Sequence, residues 1–277
     1  MEQDLYRNRD FIRDFDSILA ETAARSRELA TRMEVRADVA YGSSPRERMD
    51  ILFPPNPARG APLHMFIHGG YWRSGSKTDH HLVAAPVLAM GGIAAIVTYD
   101  LMPTTRLGRI VAQVRAAARN LQALAPTLGA DPTRFTVSGH SAGAHLASFL
   151  AAEGPEEASP PDLPAVQGVL MVSGLYDLSA IPSSFLKDEA GMTVEEAAAW
   201  SPLTAIQRQV PRRIITRGAL ETAPFHNQAT EFAAGLAAKA LPCVLREEPG
   251  LNHLTIVLSL ADPASALGGT LAGLVAG

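Results

Sequence analysis

The chain is poor in the features that assign most proteins to a special class. It holds a single cysteine, Cys243, so no disulfide can form within it, and that usage fits a reducing, cytoplasmic compartment. Its apolar neighbours predict a buried thiol without a chemical role. Charge is nearly balanced, 24 Lys and Arg against 28 Asp and Glu, a formal net charge of −4, which leaves no basic footprint for nucleic acid. The first residues are charged and lack the apolar core of a secretory signal. The only apolar stretch with membrane potential, Leu254 to Gly277, is broken by Asp262, Pro263 and several glycines; it predicts two short helices packed on the domain, with an apolar face available to a homodimer. There is no fixed-period repeat, no low-complexity tract and no HExxH motif. His80 and His81 are adjacent and poorly spaced for a helical metal site, so neither a metal nor another cofactor is expected.

What the chain does have is enough apolar residue, 47% of 277 residues with 19% charged, to fill one sizeable core. Its centre is Gly139-His140-Ser141-Ala142-Gly143, lying between the short strand pattern Arg134 to Ser138 and the helix-forming run Ala144 to Ala152. A Gly-x-Ser-x-Gly at a strand-to-helix junction is the nucleophile elbow of a serine hydrolase. The serine sits in a tight turn with its hydroxyl exposed, and the glycines let neighbouring backbone close in.

Around the elbow, strands alternate with helices. Residues 4 to 33 predict one or two amphipathic helices that cover the domain. Val35 to Tyr41 and Met49 to Phe53 predict a leading hairpin, followed by strands at Leu63 to Ile67 and Ile93 to Tyr99. Helices are expected over Asp79 to Met90 and over Arg106 to Ala125, the second stopping before Pro126. Three further strands fall at Val166 to Val172, Arg213 to Thr216 and Val244 to Glu247, and Glu153 to Pro164 reads as a surface loop. The pattern is that of a mostly parallel central sheet with helices on both faces, one α/β domain over residues 1–277. Residues 1–34 form its N-terminal helical segment. Residues 178–209 exceed what a crossover needs and predict a small helical cap, in which Thr193 and Glu196 form a capping box for Val194 to Trp200.

A serine hydroxyl needs a base, and in this sheet type the order is Ser, acid, His. His253, in a Gly-containing loop after the last strand, is the candidate base; His226 falls within a helix. Glu221 is the first carboxylate after the penultimate strand, and Asp177, closing the strand before, is the other candidate acid. Oxyanion donors are expected from the backbone of Ala142 and from His68-Gly69-Gly70-Tyr71, where Gly70 and Tyr71 are favoured and Gly69 serves if the turn is set one residue back. Tyr71 and Trp72 are expected to line an acyl or aryl pocket, with packing as the alternative role for Trp72. His140, beside the nucleophile, is expected to pack under the elbow and to contribute to substrate binding without a part in catalysis, and Trp200 is assigned to packing within the cap.

His68-Gly69-Gly70-Tyr71-Trp72 together with the elbow resembles the arylformamidase (kynurenine formamidase-like) branch of the α/β-hydrolase superfamily, close to the hormone-sensitive-lipase-type esterases. The likeness extends through Tyr41-Gly42, Met49 to Pro54, Glu221 with Phe225 to Gln228, and Asn252-His253, about residues 35 to 260. One position departs from the pattern: Glu221 stands where that family usually has aspartate. The resemblance implies an α/β-hydrolase fold and a cofactor-free serine hydrolase of small ester or amide substrates, aryl, acyl or N-formyl. A non-catalytic protein that keeps this fold to bind a ligand is the alternative class.

Overall fold

Short β-branched and apolar runs separated by helix-forming segments can bury both faces only as a layered sheet, and the computed structural model describes one over residues 3–155, 157 and 163–277. Part of the expected loop at Glu153 to Pro164 lies outside the described residues. Among those described, one sheet of eight strands runs in the order β1-β2-β4-β3-β5-β6-β7-β8. The strands are β1 (Glu34–Ala40), β2 (Arg48–Phe53), β3 (Ala61–Ile67), β4 (Ile93–Val97), β5 (Ala130–His140), β6 (Gly168–Val172), β7 (Arg212–Gly218) and β8 (Cys243–Glu248). β1 and β2 are antiparallel, β2 meets β4 antiparallel, and every later pair from β4 to β8 is parallel. The C-terminal ends of β3, β5, β6 and β7, and the loop after β8, therefore open on one edge of the sheet, where ligands of open α/β sheets bind.

The helices are α1 (Phe15–Arg32), α2 (Ala85–Ala89), α3 (Leu107–Leu128), α4 (Ala142–Ser148), α5 (Lys187–Ala190), α6 (Val194–Ala199), α7 (Ala223–Ala238), α8 (Thr255–Leu260) and α9 (Ala266–Ala276). They cover both faces and divide the core in two. Val114, Leu121 and Phe135 belong to one side, Phe66, Ile256 and Leu271 to the other.

Several expected elements differ in their bounds, and three of the differences have a clear cause. The helix over Asp79 to Met90 is instead a 3₁₀ segment, Lys77–Ala84, followed by α2. Pro86 stands in the first turn of α2 and has no N–H to carry the α-helical ladder back into that segment. α3 runs through Pro126 to Leu128, because the buried stripe of Leu121, Ala125 and Leu128 continues past the proline; Gly129, at φ 78°, ends the helix in the left-handed region. In the cap, Thr193 does accept from the Glu196 N–H at 3.1 Å, but the Glu196 carboxylate does not return to Thr193. It accepts from Leu107 N–H at 2.8 Å and pairs with Arg106, capping α3 from across the molecule.

The apolar tail forms two short helices, as expected. Leu260, Leu267, Leu271 and Leu274 are buried within the chain, so the face expected for a homodimer is already covered. No helix among the described residues is long and apolar enough to cross a membrane. Cys243 is only half-buried at the start of β8, not enclosed, and burial raises its thiol.

Candidate active site

The turn at the end of β5 is dictated by close contacts. Ser141 has φ 56° and ψ −120°, a conformation that costs an L-residue strain and persists only when the surroundings over-determine it. They do so here. Ser141 N–H donates to the Val172 carbonyl at 2.8 Å, and its own carbonyl accepts from Ala144 and His145. A Cβ on Gly139 would stand 2.2 Å from the Gly143 carbonyl oxygen, and one on Gly143 would stand 2.0 Å from that of Ile67. Only glycine fits either place, which is the physical content of the motif.

Two other strand ends bring their side chains to the same point. His253 Nε2 lies 3.0 Å from Ser141 Oγ, and its Nδ1 lies 2.8 Å from Glu221 Oε2. The loop carrying His253 is set by Asn252, whose side-chain oxygen accepts from the N–H groups of Leu254 and Thr255, each at 2.9 Å. The other oxygen of Glu221 accepts from Ser173 Oγ at 2.5 Å and from Gly218 N–H at 2.6 Å. Ser173 reaches it from the end of β6 with φ 53°. Burial alone would raise the Glu221 carboxyl, whose side chain is fully enclosed. His253, Ser173 and the Gly218 N–H together outweigh burial and hold it below the ordinary glutamate value. Both carboxylate oxygens are thus engaged and one points at the imidazole.

Asp177, the other candidate acid, does not join this chain. Its side chain accepts from Ser179 N–H at 2.9 Å in a local turn, and its backbone N–H donates to Gln228. His226 lies on α7 beside Glu247, away from Ser141.

A cavity of about 750 Å³ opens over Ser141. Gly69, Gly70, Tyr71, His140, Ser141 and His253 form its floor. Phe15, Leu19, Leu254 and Val257 give it an apolar wall, and Arg7, Arg73, Phe185 and Glu189 a wall of mixed character. Gly70 has φ 111°, and a Cβ there would meet the Ser74 carbonyl at 2.3 Å; Tyr71 follows at φ 49°. α1 and the residues before it roof much of the space, while Phe185 and Glu189 are the cap's share. The N-terminal segment is thus the larger cover, a role its amphipathic pattern signalled without showing where it docks.

Trp72, expected to line the pocket, does not. It is fully buried, turned away from the cavity, and its indole N–H donates to His145 Nδ1 at 3.2 Å; His145 Nε2 in turn donates to the Trp200 carbonyl at 2.8 Å. Tyr71 and Trp72 both lie in the left-handed region, at φ 49° and 58°, and of the two only Tyr71 lines the cavity. This chain joins the loop after β3, the helix after the elbow and the cap, and no local pattern around His145 announces it. His140 donates from Nε2 to the His253 carbonyl at 2.8 Å; burial keeps its ring neutral, far below the usual imidazole value. Trp200 packs on Phe149 with ring centres 5.2 Å apart. Among the described residues, no group of three or more His, Cys, Asp or Glu is arranged to hold a metal ion.

A mostly parallel eight-stranded sheet with a leading antiparallel pair, carrying a strained serine at the end of a central strand and an imidazole within reach of it, defines an α/β-hydrolase. The sheet order and the solved structures that superpose on the chain agree on this fold. The chain belongs to the BD-FAE family, whose model matches residues 49–236. Kynurenine formamidase of Salmo salar is 29% identical over 260 residues, covering 91% of this chain and 85% of that protein. A putative thioesterase from Silicibacter sp. superposes with a TM-score of 0.83 at 25% identity over 100% of both chains. EstE1, a thermostable carboxylesterase cloned from a metagenomic library, superposes with a TM-score of 0.70 at 20% identity, covering 94% of this chain and 96% of its own. The chain is a hydrolase of the carboxylesterase and arylformamidase type, acting on ester or amide bonds.

Proposed function

We propose that the protein hydrolyses small aryl or acyl esters and amides, N-formyl amides among them, through a covalent acyl-enzyme formed on Ser141. The observation that carries this is the buried chain of hydrogen bonds Glu221–His253–Ser141, at 2.8 and 3.0 Å, on the floor of the cavity. Ser141 Oγ attacks the substrate carbonyl and its proton passes to His253 Nε2. Glu221 orients the ring and stabilises its protonated form. The backbone N–H groups of Gly70, Tyr71 and Ala142 receive the oxyanion. The tetrahedral adduct collapses, the bond to the leaving oxygen or nitrogen breaks, and that atom takes the proton from His253. Water, deprotonated by the same imidazole, then attacks the acyl-enzyme, releasing the acid and restoring the serine hydroxyl. The apolar wall of Phe15, Leu19 and Val257 suits an aryl or alkyl group, with Tyr71 and His140 beside the scissile bond.

Ser141→Ala tests the mechanism. Turnover of a p-nitrophenyl short-chain ester should fall by at least about a thousandfold with the melting temperature retained. An aryl phosphonate should label the wild-type protein at Ser141 and leave the variant unlabelled. Undiminished turnover in Ser141→Ala, or a wild type that resists labelling, overturns the reading. Rates on formanilides against the matching phenyl esters rank the substrates.

A further inference from the structure

Ahead of α1, residues Asp4 to Asn8 lie across the open edge of the sheet and touch the loops that bring the site together. The Tyr71 hydroxyl donates to the Tyr6 carbonyl at 2.5 Å and accepts from Asn8 Nδ2 at 3.4 Å. Thr222, next to Glu221, donates from Oγ1 to the Leu5 carbonyl at 2.7 Å. Gln228 Nε2 donates to the Tyr6 hydroxyl at 3.0 Å, while Gln228 Oε1 accepts from Tyr176 and Asp177 N–H at 2.7 and 3.0 Å. The Tyr6 ring stands edge-on to Phe225, which packs 4.3 Å from the His253 ring, centre to centre. The far end is fastened by Asp4, which accepts from Tyr6 N–H at 2.9 Å and from Phe185 N–H of the cap at 2.5 Å. Arg7 lies 5.0 Å over the Phe185 ring.

What this segment grips is a backbone that needs gripping. Gly70 and Tyr71 stand at φ 111° and 49°, and a strained loop keeps such angles only when neighbours fix it. Trp72 anchors the loop from below through His145; from above, the Tyr71 hydroxyl ties it to the Tyr6 carbonyl. We propose that Asp4 to Asn8 form a positioning strap, which through the Tyr71 hydroxyl holds the Gly70–Tyr71 amides in the orientation that receives the oxyanion. The proposal rests on the oxyanion assignment made above. Tyr71 thereby has two functions, an amide facing the reaction and a phenol facing the strap; Tyr6 and Asp4 are positioning residues that touch no reacting atom.

The test separates transition-state binding from substrate binding and from folding. Tyr71→Phe keeps the amide and the ring but removes the bond to the strap. Asp4→Ala frees the far end of the strap and remains decisive should Tyr71→Phe not fold. Each is assayed with a p-nitrophenyl ester and with 1,1,1-trifluoro-4-phenylbutan-2-one, whose carbonyl adds the serine oxygen to give a hemiketal oxyanion. Expected are a kcat lowered about tenfold to a hundredfold, a KM changed less than about threefold, a melting temperature within a few degrees of wild type, and affinity for the trifluoroketone lowered by the same factor as kcat. The double variant should lose no more than the worse single one, since both cut one linkage. Unchanged kcat, a kcat loss with trifluoroketone affinity intact, or fully additive losses overturn the strap. Failure of the hydrolase reading looks different: wild-type enzyme indifferent to the trifluoroketone, with Ser141→Ala still active.

Discussion

Glu221 reaches one methylene further than the aspartate usual at its place, and its surroundings absorb that length. One oxygen is fixed by Ser173 Oγ and the Gly218 N–H, the other meets His253. Gly218 has no room for a side chain, since a Cβ would lie 2.3 Å from the Leu251 carbonyl and 3.3 Å from Glu221 Oε1. Glu221→Gln puts an amide where a full negative charge faces the ring and removes the preference for one tautomer. It should lower kcat by about a hundredfold to ten-thousandfold in ester hydrolysis, whereas Asp177→Asn should stay within about threefold of wild type. A larger loss in the latter would transfer the orienting role to Asp177. Ser141, His253 and Glu221 were each legible because each sits beside a local signal: a glycine-framed turn, a loop after the last strand, the first carboxylate after the penultimate one. Trp72 was not legible, because its direction is set by a positive φ and by a partner, His145, 73 positions away.

At the scale of elements, strand cores were readable from apolar runs, and their ends were set by partners that pattern does not report. β7, expected over Arg213 to Thr216, extends to Arg212–Gly218 because β8 pairs with it as far as Gly218. The cap shows how a local motif can be half right. Thr193 caps α6, yet the Glu196 carboxylate answers the N–H of Leu107, which has no partner within the helix, as the first residue of an α3 whose own N-cap residue, Arg106, provides no side-chain acceptor. Glu196→Ala should therefore destabilise the protein by about 1–2 kcal/mol, through loss of a helix cap and of the Arg106 pairing. Thr193→Ala should cost about 1 kcal/mol. Urea unfolding midpoints check both, and a Glu196 effect no larger than that of an exposed surface change would remove the cross-molecular cap from the account.

For the molecule as a whole, acid is the expected weakness. His64, wedged between Thr136 and Ser138 at 2.8 and 2.7 Å, and His68 are pushed by burial down to about 3; His145 is pushed to about 4, and His140 is also held well below the usual value of 6.5. Folded, these rings stay neutral while the unfolded chain binds protons below about pH 6.5. Their contribution is complete above that value and is lost as pH falls toward about 4 and then 3. Glu221 and Asp50, both held below their ordinary values, act in the same direction: their contribution is present above the ordinary carboxylate range and lost below it. Stability by urea midpoint should thus decline from about pH 6.5 to 4, and His64→Gln should flatten the slope over that interval. A midpoint independent of pH between 7 and 5 would show that the buried rings are not neutral in the native state. Composition announced a full core and excluded a charged one; it gave no hint that six of the eight histidines would be buried.

The segment lying over the site carries a consequence for the order of assembly. Its hydrogen bonds span 65, 181, 217 and 222 positions of chain. Asp4 to Asn8 are made well before α7 and must wait for it before their partners exist, and such distant pairings are closed late. Compactness and competence should therefore separate in time: a newly made chain would bury its sheet first and become a working enzyme only when Asp4 to Asn8 fall into place.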